Sequence, residues 1–134
     1  MALGNCSFCG IVAGNRPAFL VLATKDVCAF LDVNPVSKYH TLVVPRQHFE
    51  NLYDTPGDVL DQVMRAVKHV AALYRERLGI ENVQVRNASG QAAGQDVFHL
   101  HFHLVPRWPG DDYQSWTPHP EWRSDFPVLL KKLT

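Results

Sequence analysis

The chain has 134 residues, within the range of one compact domain able to bury a core. Hydrophobic residues make up 46% and charged residues 19%, which excludes a disordered chain. Thirteen basic residues balance thirteen acidic ones, so the net charge offers no attraction to nucleic acid or to an anionic membrane, and neither is expected as a partner.

No stretch has the length and apolarity of a transmembrane helix, and the start has no charged region followed by an apolar one. A cytoplasmic location is expected. Cys6 and Cys9 form a Cys-x-x-Cys pair, which is half a zinc site. A redox pair would follow a strand, and none is expected before Cys6. Phe19–Ala23 and Val27–Leu31 are apolar and β-prone, and Thr24-Lys25-Asp26 turns between them, so residues 18–33 read as a hairpin. Cys28 reads as a small core residue. Asn34-Pro35 breaks the second strand, and Thr41–Val44 is a further strand ended by Pro45.

A long helix follows. Thr55 is the expected cap, Pro56 suits the first helical position, and Asp58 lies in the first turn. Val59, Val63, Val67, Val70, Tyr74 and Leu78 form an amphipathic stripe, and Gly79 closes the helix. Ile80–Val85 leads into a strand, Asn87–Gly94 is a small-residue loop, and Val97–Val105 is the last expected strand. Residues 106–134 are a tail rich in Trp, Pro and Asp, with a short helix or strand at Phe126–Leu133. No linker or repeat divides the chain, so 1–134 reads as a single domain. Strands, one long helix and strands again predict an α+β fold, an antiparallel sheet with the helix on one face and a ligand on the other.

Within the last strand, His99, His101 and His103 alternate with Leu100, Phe102 and Leu104. Alternation sends the three imidazoles to one face, about 6.5–7 Å apart, and the apolar side chains into the core. Three imidazoles in register supply donors and acceptors that titrate near neutrality, suited to handling a phosphate or binding a metal. An imidazole is a competent nucleophile towards phosphorus, and the central His101, with a neighbour on either side, is the natural choice.

The His-x-His-x-His-x-x run resembles the signature of the histidine-triad (HIT) family of nucleotide hydrolases and transferases. The similarity extends to Cys6–Ile11, Ala29–Pro35, His40–His48 and Ala93-Gly94-Gln95. The resemblance implies a HIT-like fold and a homodimer whose sheets join near Val83–Val85. It also implies hydrolysis of a phosphoramidate or phosphoanhydride bond of a nucleoside monophosphate derivative. His101 would form a covalent nucleotidyl intermediate and His103 would hydrogen-bond the phosphate. His40 would contact the nucleophile, and Gln95 would reach a bridging or leaving oxygen. Asp32 would bind the ribose hydroxyls, while Phe8, Ile11, Phe30 and Val33 would wall in a purine base. Asn87, in a Gly-containing loop suited to cradling phosphate, or Ala88 after a one-residue offset, would lie near that phosphate.

The resemblance further implies structural zinc held by Cys6, Cys9, His48 and His99, with residues 1–35 as a zinc-binding hairpin region. One position departs from the family. After Gln95 the family carries Ser or Thr, and here stands Asp96. Charge repulsion predicts a carboxylate turned away from the phosphate, or facing a cationic or hydrogen-donating part of the substrate. Two other readings compete with the hydrolase. One is a slow or non-catalytic nucleotide-binding scaffold or sensor. The other is a metalloenzyme that uses the triad as ligands.

Overall fold

The computed structural model describes residues 5–134, so the first four positions of the expected N-terminal region lie outside the described residues. The strands are β1 (Leu20–Ala23), β2 (Val27–Leu31), β3 (Thr41–Pro45), β4 (Val83–Arg86) and β5 (Phe102–Pro106). They form one sheet in the order β1-β2-β3-β5-β4, antiparallel throughout. The helices are α1 (Ser7–Val12), the long α2 (Gly57–Leu78) and α3 (Phe126–Leu133).

The β1–β2 hairpin closes on one hydroxyl. Thr24 Oγ1 accepts from the N–H groups of Asp26 and Val27 at 3.3 and 3.0 Å, the use of Thr that favours a turn. In β2 and β3, alternate residues face opposite layers. Val27, Ala29 and Val43 pack with Leu104 against Val63, Val67, Val70 and Tyr74 of α2. Cys28, Phe30, Leu42 and Val44 face the other way, against Phe8 of α1. The expected α+β arrangement, with the helix on one face, is the one observed.

The start of α2 differs from expectation. Pro56 occupies the cap position, with no side-chain cap. Thr55 turns back instead and donates to the carbonyl of Asn51 at 2.6 Å, which takes its hydroxyl out of the cap. The helix ends as expected. Gly79 adopts φ +67, and the N–H groups of Gly79 and Ile80 reach the carbonyls of Arg75 and Tyr74. The apolar stripe ends one turn early: Leu78 is exposed, and Ala66 joins the buried face.

The histidine strand is shorter than Val97–Val105. The ladder of β3 with β5 ends at Val43 opposite Phe102. Pro45 of β3 has no N–H to extend it. The Pro45 carbonyl accepts from His99 Nε2, and Leu100 N–H goes to the carbonyl of Phe49 at 2.7 Å. Of the three histidines only His103 therefore stands on a regular strand. The rings of His101 and His103 lie 5.0 Å apart, closer than an ideal strand would hold them.

The tail packs little. A 3₁₀ segment, Pro120–Asp125, leads into α3, and Trp116, Trp122, Phe126 and Leu130 are exposed, so the expectation of a regular C-terminal element resolves as a helix. Among the described residues no helix is long and apolar enough to cross a membrane.

Candidate active site and metal centre

The β2–β3 face opposite α2, together with α1, carries the candidate site. His101 is 4% exposed. Its Nδ1 lies 2.7 Å from the carbonyl of His99, and a carbonyl only accepts, so Nδ1 bears the proton. Nε2 is left with its lone pair. Phe8 meets this ring edge-on, with centroids 5.1 Å apart, and also packs on Phe30 at 5.3 Å. Asn87 donates its amide to the carbonyl of His101 at 3.0 Å.

His103 is set by His40. The N–H of Val36 donates to His40 Nδ1 at 3.1 Å, so the His40 proton sits on Nε2. That Nε2 lies 2.9 Å from His103 Nδ1 and 3.5 Å from Asp32 Oδ2. His103 Nδ1 therefore accepts, and its Nε2–H is free to donate. Burial pushes His103 down to about 4, with the charges of His101 and His40 acting the same way and Asp32 opposing. Burial also lowers His40, against the pull of Asp32. Both rings are neutral at physiological pH. The hydrogen bond made by His40 is thus to His103, a correction to its expected contact with His101.

These groups open onto a cavity of about 300 Å³. Phe8, Ile11, Phe30, Asp32, Val33, His101 and His103 all line it. Arg16 also lines it, and sequence reasoning missed this residue. It is the only Lys or Arg among the described residues in the lining. Its side chain crosses Gly10 so closely that a Cβ there would sit 2.7 Å from Arg16 Cδ. A lone cation four residues past a short helix gives no sequence signal of that crossing.

Two expected contacts lie elsewhere. Gln95 is buried, and its amide is fully engaged. Its Oε1 accepts from Gly90 N–H at 2.8 Å and from Asn51 at 3.3 Å, while its Nε2 donates to the carbonyls of Glu50 and Val97. It braces the 87–95 loop rather than reaching towards a leaving oxygen. Gly90 and Gly94, at φ +105 and +97, make the turns that this bracing requires. Neither Gln95 nor Asn87 lines the cavity. Asn87 holds the backbone of His101 instead.

Asp96 is not turned away. Its Oδ1 lies 3.9 Å from His101 Nε2, and its side chain is 84% exposed at the cavity. Tyr39 was also missed. It is the one non-glycine residue with a left-handed backbone among the described residues, at φ +66. Its carbonyl accepts from Thr41 at 2.8 Å and from the buried Tyr74 hydroxyl at 2.5 Å, which fixes the approach to His40. Burial raises Tyr74 to about 12. Sequence periodicity shows Tyr74 only as a core position.

On the other side of Phe8, Cys6, Cys9, His48 and His99 converge, with all four donor atoms within 4.8 Å of one another. Cys6 Sγ lies 3.4 Å from His99 Nδ1, and Cys9 Sγ lies 3.2 and 3.5 Å from the Nδ1 atoms of His48 and His99. Tetrahedral bonds of about 2.3 Å to sulfur and 2.0–2.1 Å to nitrogen would put such atoms about 3.5 Å apart. His99 Nε2–H donates to the Pro45 carbonyl at 2.8 Å, which leaves Nδ1 as the donor towards the cluster. The residues fit a tetrahedral metal ion. Cys6 also begins α1, accepting from Cys9 N–H at 3.3 Å, so one side chain starts the helix and belongs to the cluster.

The HIT domain family model covers residues 13–110. The chain belongs to the HIT family. It is 42% identical over 106 residues to an uncharacterized HIT-like protein of Methanocaldococcus jannaschii, covering 79% of this chain and 81% of that one. It is 34% identical over 102 residues to an adenosine 5'-monophosphoramidase of Saccharomyces cerevisiae, covering 76% of this chain and 62% of the yeast protein. A Zn-bound histidine triad family protein of Mycobacterium smegmatis superposes with a TM-score of 0.78 at 30% identity, covering 98% and 99% of the two chains. One relative of this HIT chain, the yeast protein, is thus a phosphoramidase that acts on a nucleotide.

Proposed function

We propose that this protein is a nucleotide hydrolase that moves a nucleoside monophosphate from a phosphoramidate or phosphoanhydride first to His101 and then to water. One observation carries the reading. The Nδ1–H of His101 is spent on the carbonyl of His99, which leaves the Nε2 lone pair beside a cavity of nucleotide size. The lone pair attacks phosphorus and the leaving group departs. Water then attacks the phosphorus, the P–N bond breaks, and its electron pair returns to Nε2. His103 Nε2–H steadies a phosphoryl oxygen, an assignment supported by its bond to His40. Asp32 takes the ribose and the Phe8–Phe30 wall takes a purine base.

The chain would hold structural zinc through Cys6, Cys9, His48 and His99, and the family neighbour that binds zinc supports this. The ion would supply a crosslink between α1 and the segment that leads into β5. A homodimer joined along β4 is supported by the place of that strand at the sheet's edge. Three free cysteines suit a reducing compartment such as the cytoplasm. The test is incubation with adenosine 5'-phosphoramidate and with a dinucleoside polyphosphate. Release of monophosphate from at least one is expected, and release from neither would leave only a binding protein.

A further inference from the structure

Asp96 stands where two cavities meet. It lines the nucleotide-sized cavity with His101 and His103. It also lines a second cavity of about 460 Å³, together with Glu50, Asp54 and Phe98. Ser7, Asp96 and Val97 are common to both linings. No Lys or Arg lines the second cavity among the described residues. The ring of His101 is more than nine-tenths buried, and its Nε2 has no hydrogen-bond partner among them. Asp96 Oδ1 lies 3.9 Å from that atom. A phosphorus poised for attack would lie about 3–3.5 Å from the same nitrogen. The carboxylate therefore borders the space that the reacting group enters.

Building on the hydrolase reading above, we propose that Asp96 selects the leaving group, favouring amines released from a P–N bond over phosphates released from an anhydride. In the step concerned, the His101 Nε2 lone pair forms a bond to phosphorus. The substrate's P–N bond breaks, and its electron pair goes to the departing nitrogen. That nitrogen takes protons from solvent and leaves as an ammonium ion. A neighbouring carboxylate lowers the energy of this growing positive charge. Anhydride cleavage instead gathers negative charge on the departing phosphate. There the Asp96 carboxylate, with Glu50 and Asp54 beyond it and no Lys or Arg among the described residues of the lining they share, raises the energy.

The experiment compares kcat/KM for adenosine 5'-phosphoramidate and diadenosine triphosphate in the wild-type chain and in Asp96→Asn. Asparagine keeps an acceptor for the N–H of Val97, which Asp96 Oδ1 receives at 2.8 Å, so the loop is preserved. The wild type is expected to prefer the phosphoramidate. The variant is expected to lower that preference by about tenfold or more. Turnover of both substrates with an unchanged ratio, or a wild-type preference for the triphosphate, would overturn the proposal. Turnover of neither by the wild type would defeat the hydrolase reading itself. Equilibrium affinities for adenosine monophosphate and triphosphate then decide. Asp96→Asn should tighten the triphosphate relative to the monophosphate, and an equal change in both would end the proposal.

Discussion

The Nε2–H of His40 donates to His103 Nδ1 across 2.9 Å, and this bond decides which edge of His103 can act. With Nδ1 occupied, the proton of neutral His103 lies on Nε2. His40 is held in turn by the N–H of Val36. Replacing His40 by Ala removes the partner and lets His103 change tautomer or turn. The expected result is a fall in kcat of about a hundredfold, the lower end of what a placed proton donor contributes. Binding of monophosphate should change by only a few fold. Steady-state kinetics with a phosphoramidate substrate checks this, and an unchanged kcat would remove His40 from the relay.

Buried neutral histidines also make stability depend on pH. His103 sits near 4 in the folded chain against about 6.5 when unfolded, and His40 is shifted in the same direction. Between those values the unfolded chain binds protons that the folded chain refuses. The stabilisation is therefore complete above about pH 6.5 and is lost as pH falls towards 4, by about 3 kcal/mol for His103 if its full shift is expressed. Urea midpoints should decline over that window. His103→Gln should flatten the decline, and equal slopes in the two chains would refute the linkage.

The sequence made much of this site legible because periodicity and residue chemistry are local properties. The β1–β2 hairpin, the β3 stop at Pro45 and the αL end of α2 at Gly79 all follow from single residues. The choice of His101 as candidate nucleophile rests on its central place in the row. What escaped is decided by partners far along the chain. The amide of Gln95 is consumed by Glu50, Asn51 and Gly90, and His40 pairs with a histidine 63 positions away. Thr55 carried the signature of a cap, but its hydroxyl found the Asn51 carbonyl first. The early end of the histidine strand traces to Pro45, whose missing N–H lies on another strand.

The four-residue cluster yields a test of the metal that does not depend on activity. Cys9 Sγ is within 3.5 Å of both imidazoles, and burial with the neighbouring Cys6 raises its thiol to about 11. Two such thiols gain little from each other without an ion, whereas a divalent cation would hold them as thiolates. Metal analysis of protein purified without a metal-affinity tag should find one zinc per chain. Cys6→Ser should lower the Tm by roughly 10 °C, because a structural ion contributes directly to folding. A native chain free of metal, with the variant melting where the wild type does, would exclude the site.

His101 is the sharpest test of the chemistry. Its Nε2 is the lone pair left beside the cavity once Nδ1 has been spent on the His99 carbonyl. Asparagine can keep a donor near that carbonyl but offers no nucleophilic nitrogen. His101→Asn should therefore lose at least about a thousandfold in kcat, the scale on which removing a covalent nucleophile acts. Monophosphate affinity should stay within a few fold, since Phe8, Phe30 and Asp32 line the cavity independently of Nε2. Mass spectrometry after a neutral quench should find a nucleotidyl adduct on the wild-type chain and none on the variant, because acid would cleave a phosphoramidate. If the variant kept most of its activity, attack by His101 would be excluded, and direct attack by water in a site ordered by His103 would take its place.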